Sequence, residues 1–194
     1  EALDYYLQSK NLFDKIGNNT RITEVINNIG FVYLDKGNYD KALDYHTRSL
    51  KIREELADPG GLGNIFNNFG LLFFVNNDYK KAEEHLKKAL TFKNESEDSN
   101  WTDYMLETIT FLYLSYKKLG KDYDKDKIFT LIKKTVYIKF ELNYRLYQLL
   151  EDNSYLKTAY NQIQELADNL EPDVKLKFLS YPIPKAIVEE LGES

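Results

Sequence analysis

A chain of 194 residues that is 43% hydrophobic and 29% charged, with both signs interspersed, has the usage of amphipathic surface helices and not of a disordered tail. Its net charge of −5 argues against a phosphate-backbone binder, which needs clustered Lys and Arg, so nucleic acid is not an expected partner. The absence of cysteine excludes disulfides, thiolate metal sites and a Cys nucleophile, and no run approaches the roughly 18 apolar residues of a membrane span.

The first element, from Glu1 to about residue 18, is acidic and amphipathic at its start, unlike a signal peptide. It reads as the second helix of a pair whose first helix is absent, which predicts a fragment with an uncovered face carrying Ala2, Tyr6 and Leu7. Next come two near copies, Asn27-Asn28-Ile29-Gly30-Phe31-Val32-Tyr33 and Asn67-Asn68-Phe69-Gly70-Leu71-Leu72-Phe73, forty residues apart. Tyr39, Ala42 and Leu50 are echoed by Tyr79, Ala82 and Leu90, and Ala2 completes the series 2, 42, 82. A fixed period of this size implies stacked supersecondary units, with a surface and not a catalytic pocket as the functional object.

Spacings of three and four among Ala42, Leu43, Tyr45, His46, Leu50 and Ile52 predict a helix there. Gly37-Asn38-Tyr39-Asp40 and Asn76-Asn77-Asp78 are stop and start signals, so each unit reads as an antiparallel helix pair with a tight turn. The joints over 15–20, 57–63 and 94–100, rich in Gly, Asn, Asp and Ser, read as longer loops between units. Gly60-Gly61-Leu62-Gly63 lacks the Lys-Ser/Thr of a phosphate loop and any preceding strand, and reads as part of such a flexible loop.

The pattern Asn28-x-Gly30-x-x-Tyr33-x-x-x-Gly37-x-Tyr39-x-x-Ala42, with Leu50 eight residues on, resembles a tetratricopeptide repeat. Asn68, Gly70, Phe73, Tyr79, Ala82, Ala89 and Leu90 repeat it, with Asn77 in place of the turn glycine. The period and the joint Glu54-Glu55-Leu56-Ala57-Asp58 are similar to the longer variant found in kinesin light chain, Gαi-binding adaptors and many bacterial signalling proteins. The resemblance covers residues 1–97 and implies an all-α, right-handed superhelix whose first helices line a concave surface. In its physical terms, small residues Gly30, Ala42, Gly70 and Ala82 let helices approach while Tyr33, Tyr39, Phe73 and Tyr79 fill the space between turns.

Downstream the pattern decays. Tyr113, Tyr116 and Gly120 echo a third unit, but Asp126 stands where a small residue belongs, and helices are predicted over 101–119 and 123–138. A final pair over 141–151 and 154–169 is carried by Leu146, Tyr147, Leu150, Tyr155, Ala159, Ile163 and Ala167. In the tail, Pro182 and Pro184 predict an extended 181–184 segment and a short helix from Lys185. Phe178, Ile183 and Ile187 then cap the last pair, or the tail serves as a linear motif. The expected organisation is a half-repeat over 1–18, repeats over 20–57, 60–97, 101–138 and 141–170, and a tail over 171–194.

The candidate site lies on the first helices. The resemblance implies that Asn28 and Asn68, with Asn27 and Asn67 beside them, face a ligand; a carboxamide offers a peptide group both a donor and an acceptor. The alternative is that these amides bond across the helix pairs. Phe31, Leu71 and Phe74, together with Leu34 and Val75, would floor the groove, or pack against the neighbouring repeat. The clamp for a terminal carboxylate that some relatives carry needs Lys and Arg where this chain has Asn27, Phe31, Glu107 and Phe111, so that mode is rejected.

Catalytic chemistry finds little support. His46 and His85 fall on different helical phases, Glu54/Glu55, Glu83/Glu84 and Glu189/Glu190 are adjacent and diverge, and the lysines from Lys121 to Lys134 alternate with Asp122, Asp124 and Asp126. The sequence thus predicts a non-enzymatic, cytoplasmic scaffold without cofactor or metal, within a larger bacterial signalling protein. It would bind a peptide, a protein or an adjacent domain of its parent chain. The alternative is self-association through the terminal half-repeat or the proline tail, giving a homo-oligomer.

Overall fold

The computed structural model describes residues 2–92 and 99–193, with side chains except at 2, 59, 60, 99, 100 and 193. The described residues form helices without a strand: α1 (Ala2–Ile16), α2 (Asn19–Asp35), α3 (Tyr39–Glu55), α4 (Pro59–Val75), α5 (Tyr79–Ala89), α6 (Ser99–Lys118), α7 (Lys125–Lys134), α8 (Phe140–Leu150), α9 (Asn153–Asp168), α10 (Pro172–Leu179) and α11 (Pro182–Glu193). They fall into two compact units, residues 1–96 and 97–194. The side chain of Ala2, expected on an uncovered face, and most of the joint over 94–100 lie outside the described residues.

In the first unit one turn recurs at every junction. Gly17, Gly37, Ala57 and Asn77 all have left-handed backbone, with φ of 68°, 71°, 49° and 61°. Each is followed by an Asn or Asp whose side chain caps the next helix: Asn18 accepts from Arg21 N–H, Asn38 from Lys41, Asp58 from Gly61 and Asp78 from Lys81, at 3.0–3.2 Å. The same residue closes the helix before it, as Asn38 N–H donates to Tyr33 C=O at 2.8 Å and Asp78 N–H to Phe73 C=O at 2.9 Å. Such a six-to-one bond satisfies a terminal carbonyl, while the side chain satisfies an orphan amide of the following turn.

Helix starts thus recur every twenty residues, at caps 18, 38, 58 and 78, and the joints between pairs are as tight as the turns within them. The longer loops predicted over 15–20 and 57–63 are therefore corrected. Gly60, Gly61 and Gly63 lie in the first turns of α4, which Asp58 caps and Pro59 opens. An added Cβ on Gly61 would fall on the Arg53 guanidinium, which is ion-paired with Asp58 at 2.6 Å, so a larger residue there would displace that pair. Among the described turn residues of the first unit, Ala57 is exposed and pays for left-handed backbone without the help of a carboxamide or a missing Cβ. Ala57→Gly is expected to raise stability by about 0.5–1 kcal/mol, read as a higher urea midpoint at unchanged slope.

The repeat glycines set how closely each pair packs. A Cβ on Gly30 would lie 2.6 Å from the ring of His46, and one on Gly70 would meet the branch point of Leu86, the equivalent residue forty positions on. Ala42, Ile65, Phe66, Phe69, Leu72 and Ala89 form the core here, with Tyr33, Tyr39, Leu50 and Phe73 packed against it.

In the second unit α6 packs on α7 and α8, α8 on α9, and α9 on α11. The predicted final pair matches α8 and α9 within a residue, but α7 stops at Lys134, short of the expected 138. Thr135 leaves helical geometry at ψ 127°, and β-branched Thr135, Val136 and Ile138 fit extended backbone better than a helix end. Glu151, at φ 59°, is also left-handed and is followed by the cap Asp152, which here accepts from Ser154 N–H two residues on. Lys117 Nζ donates to the Gln148 and Leu149 carbonyls at 2.9 and 3.3 Å, capping the C-terminus of α8. The tail is helical from Pro182, not extended to Pro184, because both prolines occupy the first turn, where backbone N–H groups have no intrahelical partner. Ile187 is wholly buried with Tyr144, Leu156, Ala159 and Ile163, and Phe178 and Ile183 pack against them.

Candidate interaction surface on the second helix

Helical geometry divides α2 into flanks. Gly30 abuts His46, Thr23 C=O accepts from Ser49 Oγ at 3.2 Å and Tyr33 stacks on Tyr45 at 5.5 Å, so this flank belongs to α3. A second flank meets α4, where Asn27 Oδ1 accepts from Asn68 Nδ2 at 2.7 Å. The same oxygen lies 3.0 Å from His46 Nδ1, so Nδ1 carries the proton and donates. Ile22, Val25 and Ile29 are buried on a third.

One stripe remains open. Arg21, Glu24, Asn28, Phe31 and Asp35 follow one another at spacings of three and four and are exposed or half-buried. Arg21 pairs with Glu24 at 2.8 Å across the surface. Asn28 is half-buried and its amide makes no hydrogen bond among the described residues, which leaves a donor and an acceptor available.

The seven residues predicted for the site thus occupy different environments. Asn28 and Phe31 are half-buried on the open stripe, the Phe31 ring lying edge-on to His46 with their centroids 5.4 Å apart. Asn27, also half-buried, is engaged by Asn68 and His46. Asn67 and Asn68 are both 3% exposed, and Leu71 and Phe74 both 7%. The structure therefore groups Asn27 with Asn68 in a cluster tying α2, α3 and α4 together, and buries Asn67, Leu71 and Phe74 along α4. Glu24 and Asp35 were missed, although their spacing from Asn28 by four and seven residues was readable.

His46 is fully buried between Phe31 and Phe69, its Nε2 has no hydrogen-bond partner, and burial pushes its pKa down to about 4. Burial also lowers the pKa of His85, against the opposing charge of Glu84. His85 stacks on Phe73 at 5.1 Å. Among the described residues no three His, Asp or Glu side chains gather to hold a metal ion.

Comparison with known proteins identifies the repeat. The tetratricopeptide repeat family model matches residues 21–95. Residues 21–95 are similar to tetratricopeptide repeats. That family model spans the two pairs α2/α3 and α4/α5, and no curated protein matches the sequence. The crystal structure of BtubC (BKLC) from P. vanneervenii is similar in fold, with a TM-score of 0.53 and 17% identity over 68% of this chain and 53% of that one. The chain thus spans about half the length of that protein, and the likeness speaks for the fold alone. Together these comparisons support an all-α tetratricopeptide solenoid, a family that serves as a scaffold for protein contacts. Among the described residues no helix is long and apolar enough to cross a membrane.

Proposed function

We propose that this tetratricopeptide segment is a non-catalytic scaffold that holds an extended peptide or a neighbouring domain on the open stripe of α2. The observation carrying the reading is Asn28, a half-buried carboxamide with unused hydrogen-bonding capacity, beside the half-buried ring of Phe31. Asn28 fixes a peptide group of the ligand main chain, and Phe31 with Val32 receives an apolar side chain. The proposed surface is shorter than the one the two sequence copies imply. On α4 the equivalent Asn68 donates to Asn27 and is buried, so it serves the join between pairs. The reading of the segment as a regulatory part of a larger bacterial signalling protein rests on its forty-residue period.

Selection of short random peptides displayed on phage against the whole chain tests this. Selected peptides are expected to bind Asn28→Ala about tenfold more weakly, a loss of the size of one buried hydrogen bond, and Phe31→Ala more weakly still. The exposed α3 substitution Glu54→Ala is expected to change nothing. Equal affinity for wild type, Asn28→Ala and Phe31→Ala, all with intact helical spectra, would refute the proposal.

A further inference from the structure

We infer that the segment 133–139, which joins α7 to α8, docks on an anionic lipid surface. The turns of the first unit pair a left-handed residue with Asn or Asp, as at Gly37-Asn38 and Ala57-Asp58. Here the joint reads Thr135-Val136-Tyr137-Ile138-Lys139, and at its middle Val136 is 93% and Tyr137 65% exposed. Nearly all of the stabilisation that burying Val136 would bring is forgone, so packing does not account for its place.

Both ends of the joint are tied down. Thr135 N–H and Oγ1 each donate to Leu131 C=O at 3.1 Å, closing α7. At the other end Ile138 C=O accepts from Asn143 Nδ2 at 2.9 Å and from Gln162 Nε2 at 2.8 Å, and Asn143 is itself buried. The fold thus presents two apolar side chains to solvent on a fixed frame, which lowers the cost of ordering them against a partner.

The charge around this tip says which partner. Lys133, Lys134 and Lys139 flank it, all exposed, and no acidic residue stands between 127 and 140 in a chain whose net charge is −5. Lys133 and Lys134 also suit the last turn of α7, where the helix dipole favours a cation. Lys139 has no such local reason. It is the N-cap of α8, makes no side-chain cap hydrogen bond, and puts a positive charge where the dipole disfavours one. The same position before α2, α3, α4, α5, α7 and α9 holds a capping Asn or Asp. A lysine placed against helix stability beside an exposed Val-Tyr pair fits a surface that is apolar below and negative above. A bilayer with anionic lipid has that layering: the lysines reach the headgroups, the Tyr137 ring sits at the interface and Val136 enters the acyl boundary. The tip rests on such a membrane and does not span it. It belongs to the second unit and does not depend on the stripe around Asn28.

The chain has no cysteine, so Val136→Cys carries a single environment-sensitive acrylodan label. Its emission is expected to shift to the blue, saturably, with vesicles of phosphatidylcholine mixed with phosphatidylserine, and to stay unchanged with phosphatidylcholine alone. A label on the exposed Glu54→Cys is expected not to respond. Co-sedimentation of the unlabelled chain with the mixed vesicles is expected to weaken as salt rises. It is expected to weaken about thirtyfold when Lys133→Ala is combined with Lys134→Ala, the effect of two basic residues near an anionic surface. Val136→Ser with Tyr137→Ser is expected to cost about tenfold. All four side chains are exposed, so both variants are expected to keep their helical spectra. No binding to the mixed vesicles, equal binding to both kinds, or an affinity unmoved by both double substitutions would overturn the inference. So would self-association in sedimentation that Val136→Ser with Tyr137→Ser abolishes while vesicles fail to bind, because the tip would then be an interface between copies of the chain.

Discussion

Leu86→Ala is expected to destabilise the first unit by about 2–5 kcal/mol, the range for a fully buried leucine that leaves a cavity. Leu86 has no exposed surface and its branch point sits against Gly70, where an added Cβ would overlap it. Gly70→Ala is accordingly expected to destabilise as well, by about 1–3 kcal/mol, although alanine is the better helix former by nearly 1 kcal/mol. The sign of that change decides whether close approach, and not backbone freedom, explains the glycine. Combined, the two substitutions are expected to cost less than their separate effects, because the new methyl group partly fills the space the leucine vacates. Urea denaturation of the four proteins measures the coupling; strict additivity would show that Gly70 and Leu86 do not share one packing site.

The second large effect is a dependence on pH centred on His46. Its folded pKa, pushed down to about 4 by burial, lies below the ordinary value of 6.5. Between these values the unfolded chain binds more protons than the folded one, so stability rises with pH across this window. The neutral imidazole's contribution is complete above about pH 6.5, falls away as the pH drops towards 4 and is gone below it. The span corresponds to a loss on the order of 3 kcal/mol. His85, also lowered by burial, contributes in the same direction. His46→Leu copies the residue that the next unit carries at 86 and is expected to flatten most of this slope. Denaturation midpoints of both proteins at intervals from pH 4 to 7 check it. An equal slope in His46→Leu would show that the titrating group is elsewhere.

The repeat was legible in the sequence because it is written in side chains that cannot be exchanged freely. Gly30 and Gly70 face a ring and a leucine at contact distance, and Ala42, Ala82 and Ala89 are wholly buried. The turns were only half read. Gly37-Asn38 is a familiar pair, but Ala57-Asp58 performs the same turn with a residue that sequence habits do not associate with left-handed backbone. The regular spacing of Asn18, Asn38, Asp58 and Asp78 carried the missing signal. The tail was misjudged at Pro182 and Pro184 because proline breaks a helix interior but is accommodated in its first turn.

Which asparagines the fold uses and which it leaves open was less legible. Asn27 and Asn28, or Asn67 and Asn68, are adjacent in sequence, so one hundred degrees of helix separates their roles. Only the positions of α3 and α4 show that Asn27 is taken by His46 and Asn68 while Asn28 is left open. Burial of Leu71 and Phe74 likewise depends on what surrounds α4, which no periodicity within α4 encodes.

In the function proposed above, Asn28 serves a ligand while Asn27 and Asn68 serve the fold. Side-chain amide resonances in a nitrogen-15 correlation spectrum follow each of these residues separately during titration with a phage-selected peptide. The Asn28 side-chain pair is expected to shift and broaden progressively, with backbone shifts at Glu24 and Phe31, while the Asn68 pair stays in place. Shifts at Asn67 and Asn68 with an unmoved Asn28 would contradict the account.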